Sequence, residues 1–253
     1  MNAAGNASPA TPVVRVWTMA TEGLTEAAVA PWATVLDDAE RARAARFTFP
    51  AGRVSFIAAH ALARAALAAA AGAPPAAFGF AIGAHGKPEA RLDGRSAGVA
   101  FNLSHTDGLV GVAAAASPGL ALGFDLEPVA RQIPPDVARR CFGAAEAAGL
   151  DELPAPVRTE GFIRLWTLKE AFIKATGKGL TQDLSHFWFR VHPPTIFFTP
   201  ELAERPRDWG FAQRIVGGGF IAAVGWRSGD PGIEVRWREV GAAGFDPAAG
   251  LAW

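Results

Sequence analysis

The side chains able to do chemistry gather in three short stretches. The first is Asp125-x-Glu127, closing the apolar run Leu120–Leu126. Strand side chains alternate with period two, so both carboxylates emerge on one face. There they either share a divalent cation through oxygen ligands or line a solvated strand edge. The second is Ser104-His105-Thr106-Asp107-Gly108, between the apolar strands Val99–Leu103 and Leu109–Ala115. That is a hairpin with polar groups at its mouth. Neighbouring side chains in a strand point apart and no acid is fixed to orient the histidine, so a nucleophile–base pair competes here with plain turn chemistry. The third is Trp166-x-x-Lys169-Glu170-x-x-x-Lys174, inside Phe162–Leu180.

That third stretch must be a helix. Phe162, Ile163, Trp166 and Ile173 recur at spacings of three, four and seven, the stripe of an amphipathic helix on a core. Gly177 can take the left-handed conformation that ends it, and Lys174 and Lys178 suit the negative end of the helix dipole. Glu170 lies four residues after Trp166 and therefore on the side of the packed aromatic. A carboxylate drawn toward a core edge needs a cation. Lys169 or Lys174 would supply one internally, and a bound metal would supply one from outside.

The rest of the chain must position these groups. With 253 residues, half hydrophobic and 19% charged, it can bury a sizeable core. Lys+Arg and Asp+Glu are equal at 24 each, so no global field marks a nucleic-acid or anionic-membrane partner, and any basic site must be local. The single cysteine, Cys141, excludes an internal disulfide framework and a thiolate metal cluster, which fits a reducing cytoplasmic setting. Residues 1–12 read as a disordered leader without signal-peptide features. No stretch is expected to span a bilayer, because His60 and Arg64 interrupt the Ala-rich helix Ile57–Ala71.

Val13–Met19 reads as a strand and Leu24–Phe47 as one helix, on which Arg43 and Arg46 share a face that either grips a phosphate or is solvated. Phe78–Ile82 is a short strand, and Gly86-Lys87-Pro88 is a turn with a lysine at its tip. Ser117-Pro118-Gly119 divides the chain into halves, 13–118 and 119–253. Beyond it come helical pieces at Pro134–Phe142 and Ala144–Leu150, a stiff loop at Leu153-Pro154-Ala155-Pro156, and antiparallel strands at Phe187–Val191, Gln213–Val216, Phe220–Trp226 and Ile233–Trp237. Gly217-Gly218-Gly219 makes a hairpin turn. Helices set against antiparallel strands imply an α+β fold.

Five motifs then fall in one order: Gly86-Lys87-Pro88, Phe101-Asn102-Leu103-Ser104-His105, Gly123-Phe124-Asp125-Leu126-Glu127, Phe142-x-x-x-Glu146 and Trp166-x-x-Lys169-Glu170-Ala171-Phe172-x-Lys174. Order and spacing resemble the 4'-phosphopantetheinyl transferases, of the larger, surfactin-synthetase-activating type, over Val13 to Trp237. Each motif alone is weak, and the set is specific. Thr106 and Phe124 stand where serine and isoleucine are frequent in that family.

The resemblance implies two similar α+β halves related by a pseudo-twofold axis, with coenzyme A in the cleft between them. It implies transfer of the 4'-phosphopantetheine arm to a serine of an apo acyl or peptidyl carrier protein. Asp125, Glu127 and Glu170 would hold Mg2+, with Mn2+ as a substitute. Lys87, Pro88, Ser104, His105, Lys169 and an arginine, Arg46 or Arg53 or Arg43, would hold the coenzyme. Lys174 would offset charge on the leaving adenosine bisphosphate, and Glu170 would be the base, so Asp125, Glu170 and Lys174 form the catalytic set. A monomer that receives its acidic carrier near Arg158, Arg164 and Lys178 is expected. A metal-dependent phosphohydrolase and a non-catalytic coenzyme- or carrier-binding homologue are the other readings.

Overall fold

In the computed structural model the described residues are 12–83, 86–133, 137–228 and 232–251, so the expected leader, through residue 11, and the first residues of the expected helix at 134–142 lie outside them. The helices are α1 (Glu26–Val29), α2 (Asp38–Ala45), α3 (Pro50–Ala71), α4 (Val137–Cys141), α5 (Ala144–Glu152) and α6 (Ala155–Thr176). The strands are β1 (Val13–Ala20), β2 (Phe78–Ile82), β3 (Pro88–Leu92), β4 (Arg95–Ser96), β5 (Ala100–Thr106), β6 (Leu109–Ala115) and β7 (Ala121–Pro128), followed by β8 (Phe187–Arg190), β9 (Thr195–Phe198), β10 (Trp209–Val216), β11 (Phe220–Arg227) and β12 (Glu234–Glu239).

Strand alternation builds four layers. Among the described residues one sheet runs β12-β1-β6-β5 and another β10-β11-β7. On β1, Trp17 and Met19 face α3, whereas Val14 and Val16 face the other way. On β11, Ile221 and Ala223 join the α6 core, whereas Ala222, Val224 and Trp226 meet Val14, Val16, Leu122 and Phe124 between the sheets. The period of two thus assigns alternate residues to an outer helix-covered core and a shared inner core. The α+β class holds, with one amendment: β12 runs parallel to β1, Val16 opposite Trp237, while the other pairings among the described residues are antiparallel.

That strand also brings the end of the chain back to its beginning. A turn does occur at Ser117–Gly119, with Gly119 at φ 76. The last stretch nonetheless returns to the first half: Val240, Ala242, Phe245 and Leu251 pack on the α3 core, and Phe245 stacks edge-on against Trp32. The expected helix Leu24–Phe47 is broken into α1, a 3-10 turn at Ala30–Val35 and α2. Pro31 interrupts it, and Asp37 with Glu40 forms a capping box that restarts it. Conversely α6 begins at Ala155, earlier than expected, because Pro156 falls in the first turn where no amide is needed. By length and composition α3 could cross a bilayer, against expectation, but here it is a core helix with Ala61, Leu62, Ala65, Ala66 and Leu67 fully buried.

Arg64, expected only to interrupt that helix, is wholly buried and satisfied. It pairs with Glu40 at 2.7 Å and Asp37 at 2.9 Å and donates to the carbonyls of Pro75 and Phe78. Glu40 also meets His60 at 2.7 Å, so the start of α2 is bolted to the middle of α3.

Candidate active site in the β7–α6 cleft

Strand β7 lies against helix α6, and a glycine sets how closely. A Cβ on Gly123 would fall 2.0 Å from the carbonyl oxygen of Ala171 and 2.4 Å from the nitrogen of Ala175, so no larger residue fits without moving backbone. Period two then places Asp125 and Glu127 on the same face of the strand as Gly123. Ala171 and Ala175 are one turn apart on α6, and their chain neighbours Glu170 and Lys174 are one turn apart as well. The α6 terminus is as expected: Gly177 is left-handed at φ 71, its amide bonded to Ile173 O at 3.0 Å.

Asp125 is buried. Its Oδ1 accepts from Lys174 Nζ at 2.7 Å and from Ser104 Oγ at 3.0 Å, and Lys174 also donates to Ser104 Oγ at 3.0 Å. Its Oδ2 is buried with no hydrogen-bond partner. Ser104 arrives from β5, which is tied to β7 by the Asn102 side-chain oxygen accepting from Phe124 N at 2.9 Å. Glu127 pairs with Arg131. Its carboxyl is pushed up by burial, drawn down by the Arg131 hydrogen bond and pushed up again by the Asp125 charge. Glu170 makes neither of its expected pairs: Lys174 is on Asp125, and Lys169 is elsewhere. Burial and then the charges of Asp125 and Glu127 hold the Glu170 carboxyl above the usual range, against the opposing pull of Lys174. Burial, with the positive charges of His60, Lys174 and Arg43, holds His105 below the ordinary imidazole value.

Ser104, His105, Asp125, Glu127, Arg131 and Lys174 line one open cavity of about 580 Å³. A buried carboxylate oxygen without a hydrogen bond among the described residues, a Glu170 whose neighbouring lysines are engaged elsewhere, and a third carboxylate that repels both are the oxygen-rich set that suits a hard divalent cation. As the side chains stand, no three His, Cys, Asp or Glu among the described residues form a ready metal group, and the Lys174 ammonium takes the place beside Asp125. The three carboxylates fit the ion in chemistry.

Other expected site residues are not brought here. Lys169, assigned to the coenzyme by resemblance, is 1% exposed; it pairs with Glu146 at 2.9 Å and donates to Leu184 O and Phe187 O. Its ammonium lies over the Phe187 and Phe142 rings, so it is a core residue of the α5–α6 packing. Arg53 pairs with Glu26 at 2.9 Å and donates to Phe47 O. Arg46, with Arg43 and Phe47, lines a separate open cavity beside α2. Lys87 and Pro88 line another, and the Lys87 ammonium bonds backbone carbonyls. Trp166 is half-buried, stacked on Phe162. Arg164, expected at the carrier surface, is held by Glu160 and Gln213, and Arg158 by the carbonyls of Asp151 and Leu153. Sequence reasoning passed over Arg131, whose i,i+4 spacing from Glu127 was the available signal, and the Glu146 partner of Lys169, which no local spacing marks.

Comparison with known proteins agrees with this geometry. Residues 121–224 match the 4'-phosphopantetheinyl transferase superfamily, a span that holds β7 and α6 entire. Over 201 residues the chain is 32% identical to the 4'-phosphopantetheinyl transferase HetI of Nostoc sp., covering 77% of this chain and 82% of that protein. It is 41% identical over 92 residues to the transferase psf-1 of Bacillus pumilus and 36% identical over 92 residues to the transferase Sfp of Bacillus subtilis. Those two shorter matches each cover 36% of this chain, and 37% and 39% of the respective relatives. With most of HetI matched and every motif of the cleft in place, this chain belongs to the 4'-phosphopantetheinyl transferase superfamily.

Proposed function

We propose that the β7–α6 cleft carries out Mg2+-dependent transfer of the 4'-phosphopantetheine arm of coenzyme A to a serine hydroxyl of an apo carrier protein, releasing adenosine 3',5'-bisphosphate. The observation that carries the reading is Asp125, buried with one oxygen on Lys174 and Ser104 and the other unpartnered. In the reaction the serine oxygen bonds to the pantetheine-side phosphorus of the pyrophosphate, and the bond from that phosphorus to the bridging oxygen breaks. A bound Mg2+, held by Asp125, Glu127 and Glu170, would neutralise pyrophosphate charge and align its oxygens.

The chain's own side chains do the rest. Glu170, with Lys174 turned to Asp125 and Lys169 to Glu146, is left to take the serine proton, directly or through a water. Lys174 already reaches Ser104 and Asp125, and a small rotation of its flexible stem turns the ammonium to the departing bisphosphate. His105, kept mostly neutral, donates one ring N–H to a phosphate oxygen without adding a like charge beside Lys174. Because Ser104 and His105 come from β5 and the carboxylates from β7 and α6 of one chain, the reading has the enzyme working as a monomer. A free Cys141 thiol is in keeping with a cytoplasmic enzyme.

The test is Asp125→Ala and Glu170→Ala, each with circular dichroism to check the fold. Both should abolish carrier modification. Near wild-type turnover of Asp125→Ala at limiting Mg2+ would overturn the assignment.

A further inference from the structure

The one lysine at the tip of the β2–β3 turn does something other than meet a ligand. Lys87 Nζ donates to Leu122 O at 2.8 Å and to Ala175 O at 3.3 Å. Leu122 is on β7, the edge strand of its sheet, whose outward carbonyls have no ladder partner. Ala175 is in the last turn of α6, where carbonyls lack amide partners and the helix dipole is negative. The aliphatic stem is seated too: a Cβ on Gly177, the left-handed cap of α6, would lie 3.6 Å from Lys87 Cδ. One side chain therefore touches strand, helix and cap beside the Gly123 contact with α6. Lys87 forms no ion pair with a carboxylate in the described residues, and burial lowers its pKa to about 8 against the pull of Glu89. A part-buried ammonium is costly to desolvate, and here carbonyl dipoles are what balance it.

We propose that Lys87 is a positioning residue that clamps the β2–β3 hairpin of the first half onto β7 and α6 of the second, so fixing Asp125 against Lys174 and Glu170. Its consequence for catalysis rests on the transfer reading, whereas the clamp itself stands on geometry. The acceptors adjoin the machinery directly: Leu122 lies on the strand of Asp125, and Ala175 follows Lys174. A lysine that bound a coenzyme phosphate would instead contribute to affinity through charge.

Three readouts on Lys87→Met and Lys87→Arg, with wild type, decide the matter. They are amide hydrogen exchange of residues 78–83 and 86–92 in the ligand-free protein, the salt dependence of coenzyme A affinity by calorimetry, and kcat for a carrier. Lys87→Met should speed exchange of the hairpin about tenfold or more, the worth of a charge-assisted hydrogen bond. It should lower kcat about tenfold while leaving the slope of affinity against salt as in wild type, since no charge contact to the coenzyme is lost. Lys87→Arg, keeping charge and donors, should recover part of the protection and of kcat. Unchanged hairpin exchange in a folded Lys87→Met overturns the clamp, and a shallower salt slope with weakened binding makes Lys87 a phosphate ligand. If wild type transfers nothing, the transfer reading fails while the exchange experiment still decides the clamp.

Discussion

Replacing Gly123 by alanine isolates the packing that holds the active site together. The added methyl would sit 2.0 Å from Ala171 O and 2.4 Å from Ala175 N, and both are helix backbone that cannot swing aside. An ordinary carbon–oxygen contact needs more than an ångström beyond that, so α6 must lift bodily from β7. Lifting carries Glu170 and Lys174 away from Asp125, where the Lys174–Asp125 contact is now 2.7 Å and Ser104 completes the triangle at 3.0 Å. Overpacking of this kind costs about 1–3 kcal/mol of stability. A displacement near 1 Å at reacting groups lowers rates by about 100-fold. We therefore expect Gly123→Ala to fold with a lowered Tm and to lose about two decades of kcat for carrier modification, with a smaller change in KM for coenzyme A. Thermal melts and steady-state kinetics on the purified variant measure both. Wild-type kcat together with an unchanged Tm would refute the claim that strand–helix contact sets the geometry.

Two further outcomes follow from buried charges. Lys169→Met leaves the Glu146 carboxylate buried without its cation, so unfolding free energy should fall by about 3–5 kcal/mol and Tm by roughly 10 °C. The double variant with Glu146→Gln should recover part of that loss, and coenzyme A affinity of the folded Lys169→Met protein should stay at wild type; a specific loss of affinity would return Lys169 to the coenzyme site. Glu170 has a folded-state pKa above its ordinary 4.5, so its stability contribution is full below that value and is lost as pH rises through the raised one. Glu170→Gln should accordingly abolish transfer yet raise Tm at pH 7, with the gain shrinking as pH falls toward 4; a lower Tm at pH 7 would contradict the repulsion argument.

What the sequence could and could not disclose follows the range of the interactions. The α6 stripe, its Gly177 cap and the shared face of Asp125 and Glu127 are written in residues a few positions apart and are as read, and so is the hairpin, except that β5 runs on through Thr106 and leaves only Asp107-Gly108 for the turn. Arg64 with Glu40, Lys169 with Glu146 and Lys87 with Leu122 and Ala175 join residues more than 20 positions apart, and no local period marks them. The sequence therefore carries no sign of the contacts of these two lysines, and the resemblance assigns both to the coenzyme. The return of β12 to β1 was hidden likewise, because a strand's pattern states which face is buried but not which neighbour it pairs with. The breaks in Leu24–Phe47 are local: Pro31 and the Asp37–Glu40 box mark them in the sequence, within a charge pattern that runs on across them.

The central claim is transfer of a phosphopantetheine arm through this cleft, and the intact mass of a carrier protein reads it directly. Purified wild-type protein, an apo carrier, coenzyme A and Mg2+ are incubated together, with a parallel sample lacking the metal. The account predicts that the carrier gains the mass of one phosphopantetheine on its serine, that adenosine 3',5'-bisphosphate appears in equal amount, and that both vanish without metal. Cleavage of coenzyme A with every carrier tested left at its apo mass, or coenzyme binding with no cleavage at all, would contradict it.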